Sequence, residues 1–249
     1  MTMDRVFFFS TCLVEHIYPD VGMDAVALLE LCGYRCEVPP QQTCCGQPGY
    51  NSGATEASRA VAEHTLNVFS QEPLPIIVPS ASCADMIKNH YPKLFLEGSP
   101  RHQQAIDLAS RCFEFIDFIA DKLPTSPPRD EPKNAMLHIS CSARRGTKTY
   151  ERWQQSLEYA FGAPAIEPED AFECCGFGGT FSLKSPAIST VMAEDKCRGL
   201  MANGNETFYS GDCGCLMHLN SYAEKQALPI RGKHIITTLA ERLGVANAK

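Results

Sequence analysis

A repeated cysteine pattern constrains this chain more than any other feature. Cys12 is followed by the vicinal pair in Cys44-Cys45-Gly46 and then by Cys83; Cys141 is followed by Cys174-Cys175-Gly176 and then by Cys213 and Cys215. Between the lone cysteine and the pair lie 31 residues in the first half and 32 in the second. From the pair, 37 residues lead to Cys83 in one half and 37 to Cys213, or 39 to Cys215, in the other. Two Cys-Cys-Gly motifs at matching offsets mark an internal duplication, which requires two similar structural units. Between them, Leu123 to Asn134 carries four prolines, and such a stretch continues neither a helix nor a central strand. The expected organisation is a first repeat over 1–123, a Pro-rich linker over 124–134 and a second repeat over 135–249.

Hydrophobic periodicity alternates within each half. Val6–Ser10, Arg35–Val38 and Pro75–Pro79 read as strands; Pro19 opens a helix through Leu31 that Gly33 stops. Residues 54–69 read as a helix burying Ala57, Ala60, Val61, His64 and Val68, with His64 structural on that face. Ile106, Ala109, Phe113, Ile116 and Ala120 suggest one further helix. In the second half, Met136–Ser140 and Thr207–Ser210 read as strands. Thr147–Phe161, a segment capped by Ser185-Pro186 and running toward Asn203, and a closing stretch with Ile235, Ile236, Leu239 and Leu243 read as helices. Trp153 is expected to anchor its helix in the core. Alternating strands and helices predict an α/β fold of two pseudo-symmetric lobes, each a short parallel sheet flanked by helices. The motif cysteines follow predicted strands, and ligands in open α/β sheets collect beyond the strands' carboxyl ends.

Composition narrows the chemistry. A net charge of −7 argues against nucleic-acid binding. No stretch approaches the ~20 apolar residues of a membrane span. The apolar start of the chain, Met1 to Ser10, is too short for a secretory h-region, which leads to the expectation of a cytoplasmic protein. The 13 cysteines are odd in number and cannot all pair internally. In a reducing compartment they point instead to metal or redox chemistry. No dinucleotide fingerprint is present, because Gly176-Phe-Gly-Gly follows a cysteine pair and lacks the required spacing.

Four thiolates drawn from three loops suit an iron–sulfur cluster. Zinc competes, but its structural sites usually draw on ligands a few residues apart, whereas adjacent cysteines diverge. Redox-active thiols and a strained vicinal disulfide are the remaining readings. Gly46, Gly176, Gly178 and Gly179 beside the pairs allow close backbone approach to an anionic centre, or form plain turns.

The residues Ser10-Thr-Cys-Leu, Tyr18-Pro-Asp-Val-Gly22, Gln42-Thr-Cys-Cys-Gly-Gln-Pro48, Pro79-Ser-Ala-Ser-Cys83 and Glu173-Cys-Cys-Gly-Phe-Gly-Gly-Thr-Phe-Ser182 resemble the cysteine-rich CCG-domain family, most closely its lactate-utilization branch. The resemblance covers nearly the whole chain. It implies an iron–sulfur electron-transfer subunit of an L-lactate-oxidising system, with one cluster of the four-iron, four-sulfur type per repeat. It also implies two partners, a ferredoxin-like iron–sulfur subunit and a third small subunit. The heterodisulfide reductase branch, a more distant relative, ends each repeat in Cys-x-x-Cys. Here Ser80 and, with Cys215 as the family ligand, Asp212 take the earlier position, which leaves four cysteines per repeat and speaks against disulfide cleavage; a hydrogen-bonding role is expected for both, with an oxygen ligand to the cluster as the alternative.

The ligand set so implied is Cys12, Cys44, Cys45 and Cys83, with Cys141, Cys174, Cys175 and Cys213 or Cys215. Equal spacing favours Cys213; the family's cysteine before Leu-Met-His favours Cys215, with Cys213 a neighbour or alternate. Cys32, Cys36, Cys112 and Cys197 are expected to be buried bystanders. Arg144, Arg145, Lys148 and Lys184 are either solvated cations or counter-charges for a cluster or a substrate carboxylate. His138 and His218 are read as ordinary core or surface histidines, with a role beside a cluster as the alternative.

Overall fold

The computed structural model describes residues 3–125 and 133–246. The middle of the expected linker, 126–132, lies outside the described residues. The first repeat runs β1 (Asp4–Phe8), α1 (Cys12–His16), α2 (Pro19–Leu31), β2 (Tyr34–Glu37), α3 (Gln47–Asn51), α4 (Thr55–Phe69), β3 (Ile76–Val78), α5 (Ala81–Asp85), α6 (Pro100–Ser110), β4 (Cys112–Glu114) and α7 (Phe115–Ile119). The second runs β5 (Met136–Leu137), α8 (Tyr150–Phe161), α9 (Phe181–Lys184), α10 (Pro186–Leu200), β6 (Thr207–Ser210), α11 (Cys213–Lys225), β7 (Arg231–His234) and α12 (Ile235–Arg242).

The duplication is visible in the sheets. The first has the order β2-β1-β3-β4 and the second β5-β6-β7, all parallel. A single parallel bridge from Met136 to Ile166 adds a vestige of the missing edge on the far side of β5. Ile166 thus stands where β2 stands in the first repeat, and the two halves share one topology.

Strand alternation decides how the lobes join. Along β1 and just beyond it, Phe7 and Phe9 enter the first repeat's own core, with Leu66, Phe69, Ile76, Val78 and Tyr91. Val6 and Phe8 point to the opposite face, into a core shared by both halves. There they meet Leu28, Ile77 and Ile116 from the first half and Leu137, Trp153, Leu157, Tyr209, Ile235 and Leu239 from the second. Met136 and Phe208 turn the other way, into the second repeat's own core with Leu200, Leu216 and Leu219. Strands buried on both faces explain the near-continuous apolar runs of the central strands. Each fully buried side chain of this kind contributes about 1.5–3 kcal/mol.

Several expectations need correction. The buried face of α4 is Ser58, Ala62, Thr65, Leu66, Val68 and Phe69, whereas Ala57, Ala60 and His64 are exposed. The polar residues tolerate burial because Ser58 donates to the Ala54 carbonyl at 2.9 Å and Thr65 to the Val61 carbonyl at 3.1 Å. His64 instead hydrogen-bonds the Gln41 carbonyl at 2.6 Å, beside the Cys44 loop. The helix expected through Ile106 and Ala120 is broken by β4, where Cys112 pairs with Ile76; Ile106 is exposed. The helix expected from Thr147 begins at Tyr150, because Lys148 adopts a positive φ of 59°. Before it, Ser142–Gly146 forms a π-helical turn. Strand β5 is two residues long rather than five. Ser185 makes no side-chain cap to α10, which ends at Leu200. Cys112 and Cys197 are buried as expected, while Cys32 and Cys36 are half-buried. Trp153 is fully buried. No helix among the described residues is long and apolar enough to cross a membrane.

Candidate metal centres

Each repeat brings four cysteines to the carboxyl ends of its strands by the same route. In the first, β1 delivers Cys12 to the start of α1, where Thr11 caps the helix by accepting from the Val14 N–H at 3.3 Å. Strand β2 leads to Cys44-Cys45-Gly46, and β3 leads to Cys83 inside α5. In the second, β5 leads to Cys141, the segment after Ile166 leads to Cys174-Cys175-Gly176, and β6 leads to Cys215 in the first turn of α11. Cys45 and Cys83 place their sulfurs 3.2 Å apart, and Cys175 and Cys215 do the same at 3.2 Å. Cys12 lies beside Cys44 and Cys141 beside Cys174, close enough for each pair of thiols to interact. All 13 cysteines are free thiols.

The glycine after each pair has a defined job. Gly46 and Gly176 have φ of 83° and 90°, a region closed to most side chains. That conformation turns the Gly46 N–H onto Cys44 Sγ and the Gly176 N–H onto Cys174 Sγ, each at 3.4 Å. Gly178 and Gly179 also have positive φ. At Gly179 a Cβ would sit 3.3 Å from Pro48 Cα, which makes it a point of close approach between the repeats.

The two sites face each other. A cavity of about 80 Å³ is lined by Cys12, Cys44, Cys45 and Cys83; another of about 170 Å³ is lined by Cys141, Cys174, Cys175 and Cys215. Gln47, Ser82, Phe177 and Gly179 line both. The lobes are clamped at this point. The Asp212 carboxylate accepts from the Ser82 backbone N–H at 2.8 Å and from Gly214 and Cys215 N–H at 3.0 and 3.4 Å. Asn51 donates to the Gly178 carbonyl at 3.5 Å, and Ser52 and Thr180 share a hydroxyl hydrogen bond. Ser80 bonds the Ser82 hydroxyl at 3.2 Å.

Electrostatics follow from burial and from thiol–thiol contacts. In the first site the Cys12 and Cys45 thiols and the Gly46 and Cys45 backbone N–H groups hold Cys44 well below the ordinary thiol range, while Cys12 is pushed up by the same interaction with Cys44. In the second, Cys141 is pushed up by its interaction with Cys174 and by burial. Burial, reinforced by Lys196 and Arg144, lowers His138 to about 3 and keeps it neutral.

The structure separates Cys213 from Cys215. Cys215 joins Cys175 and Cys141 around one cavity, whereas Cys213 points into the shared apolar core. The local reason is helical: two residues along α11 turn the side chain through about 200°. The cations also divide. Arg144 pairs with Glu167 and stacks on Phe172 at 4.4 Å. Arg145 contacts Cys141, and with Lys148, Lys93, His90 and Asp85 it lines an open cavity of about 520 Å³ that reaches exposed Cys141. Lys184 is exposed on α9. His218 bonds the Ser189 hydroxyl at 3.1 Å. His138 is drawn to the second site, where one of its ring nitrogens and the sulfurs of Cys175 and Cys215 lie within 4.8 Å of one another. Unforeseen contributors include Gln47, which donates to the Ser82 carbonyl at 3.2 Å, and Gln42, which accepts from Ser10 N–H at 2.9 Å and ties the pair loop to the end of β1. Their only sequence signal is that they flank the Cys-Cys pair.

Four soft sulfurs from three loops, with backbone N–H groups aimed at them, fit a metal or iron–sulfur centre in each repeat. The family described as cysteine-rich domain (CCG) matches residues 6–88 and again residues 135–220. The chain is 36% identical over 239 residues to lactate utilization protein A 1 of Bacillus mycoides, spanning 95% of this chain and 97% of the relative. It is 37% identical over 236 residues to lactate utilization protein A of Shouchella clausii, spanning 94% and 98%, and 36% identical over 241 residues to the protein of that name from an Exiguobacterium species, spanning 96% and 98%. With the domain matched twice and relatives aligned almost end to end, the chain belongs to the cysteine-rich CCG domain family.

Proposed function

We propose that this chain is the iron–sulfur electron carrier of a multi-protein system that oxidises L-lactate to pyruvate, holding one four-iron, four-sulfur cluster in each repeat. The observation that carries this reading is the pair of four-cysteine sites facing each other across Gln47, Ser82, Phe177 and Gly179. Cys12, Cys44, Cys45 and Cys83 would hold one cluster, and Cys141, Cys174, Cys175 and Cys215 the other. Such clusters take up and release single electrons. The chain's own residues hold the two sites close to each other. The Asp212 clamp fixes one lobe against the other, and the Gly46 and Gly176 N–H groups offset thiolate charge. The relatives' name, lactate utilization protein A, supports the lactate part of the reading. The partners we assign are a ferredoxin-like iron–sulfur subunit and a third small subunit, and the compartment is the cytoplasm.

The open cavity beside exposed Cys141 favours a second reading, a reductase whose second cluster meets a small substrate directly. Anaerobic purification with iron, zinc and acid-labile sulfide analysis, followed by electron paramagnetic resonance, tests the carrier. Lactate-dependent dye reduction by the reconstituted complex tests its setting. Stoichiometric zinc without iron would reject both readings. Turnover of a disulfide by the chain alone would favour the reductase.

A further inference from the structure

The two repeats differ at one buried position beside their sulfurs. Phe9 stands three residues before Cys12, and His138 stands three residues before Cys141. Both follow the first strand of their repeat by one residue, so the duplication places them alike. Phe9 is buried in the same apolar cluster as Cys45 and Cys83, stacked on Phe69 with ring centroids 5.5 Å apart. A phenyl ring offers a sulfur no N–H. His138 is only 2% exposed. Its Nε2 has no hydrogen-bond partner among the described residues. A ring nitrogen of His138 nevertheless lies within 4.8 Å of both Cys175 and Cys215 Sγ. Buried polar atoms are nearly always partnered, so an orphan on a ring beside these sulfurs calls for an account. His218 is already engaged by Ser189, and His90, which lines the same cavity as the second set of sulfurs, faces the Asp85 carboxylate at 3.8 Å.

We propose that His138 donates an N–H···S hydrogen bond to Cys175 or Cys215 in the second centre, and that this bond makes the second centre the stronger electron acceptor of the two. The inference rests on the cluster reading above. An imidazole ring carries at least one N–H to give in either charge state. A hydrogen bond to a thiolate sulfur offsets negative charge, and it does so more in the reduced, more negative state, which raises the reduction potential. The first centre has Phe9 at that place and lacks the bond. An electron exchanged between the centres therefore leaves the first oxidised by one and the second reduced by one, with no proton moved.

The test is a potentiometric titration of the full chain, loaded anaerobically with iron and sulfide and followed by electron paramagnetic resonance. His138→Phe copies the first repeat. It is expected to keep the wild-type iron content and to change the reduction equilibrium of one centre about tenfold toward the oxidised form, which is about 59 mV for a one-electron couple. The shifted centre must be the one lost in Cys175→Ser. His138→Gln, which retains an N–H donor, should recover part of the shift, and Phe9→His should raise the other centre. Unmoved midpoints in both His138 variants overturn the inference. Loss of iron from the second centre in His138→Phe and His138→Gln also overturns it, because that marks a ligand rather than a donor. Iron-free wild-type protein would overturn the cluster reading with it; a loaded wild type with unmoved variants overturns this inference alone.

Discussion

Asp212→Ala tests the junction on which the paired sites depend. The carboxylate is 2% exposed and does two jobs. Its Oδ1 caps α11 by accepting from the Gly214 and Cys215 N–H groups, and its Oδ2 accepts from the Ser82 N–H of the other repeat at 2.8 Å. Losing a helix cap costs ~1 kcal/mol, and stranding a buried donor such as the Ser82 N–H costs about 1–3 kcal/mol. Part of this is returned, because burial pushes the Asp212 carboxyl above its ordinary range and the alanine no longer carries a desolvated charge. The net loss is about 2–3 kcal/mol, and for a chain of this size that lowers Tm by roughly 4–12 °C. Thermal unfolding of the reduced, metal-free protein, followed by circular dichroism, reads the loss directly. Asp212→Asn keeps an acceptor oxygen and should lose less than half as much. Anaerobic loading of Asp212→Ala should impair the second centre more than the first, because the cap positions Cys215. A melting point within 1–2 °C of wild type, against the drop estimated from cap and donor loss, would refute the argument. Equal iron loss from both centres would refute its second half.

Other consequences follow from the same geometry. Cys45→Ser and Cys175→Ser should each abolish one cluster's iron and sulfide, while Cys112→Ser, buried in the first repeat's core but not among the residues that line the four-cysteine cavity, should change little; equal loss in all three would reject the ligand assignment. Glu114 is buried and its carboxyl is pushed up to about 8 by desolvation. The folded chain then holds a proton that the unfolded chain releases near 4.3, so stability falls as pH rises between about 4.5 and 8. Glu114→Gln should flatten that slope by about 1 kcal/mol per pH unit, measured by urea unfolding at pH 5, 6 and 7. Gly176→Ala places a Cβ 2.8 Å from the Ser189 carbonyl at a φ of 90°, which should cost about 1–3 kcal/mol and reduce loading of the second centre, measured as iron per chain.

Much of the site was legible because cysteine spacing survives duplication. The offsets of Cys12, Cys44-Cys45 and Cys83 against their second-half counterparts gave the repeat, and apolar runs gave most strands. Failures came where local pattern and tertiary contact disagree. The apparent helical stripe through Phe113 hid β4, whose three residues are strand because Ile76 and Val78 pair with them. Apolar period does not mark the buried face of α4, because Ser58 and Thr65 satisfy their hydroxyls within the helix and can be buried. Strand β7 carries no apolar signal because Arg231-Gly-Lys-His is polar, and it is held at the sheet edge by pairing with β6.

The sequence by itself determined that two cysteine sets exist, that they end strands, and that the chain is duplicated, because covalent spacing and side-chain period are local properties. Only the tertiary structure decided which residues converge. It turned Cys215 toward Cys175 and Cys213 into the shared core, set Asp212 against Ser82 across 130 residues of chain, brought the two sites wall to wall, and left the Nε2 of His138, beside the second, without a partner among the described residues. Those outcomes depend on how two sheets pack through one common core, and no single segment carries that information.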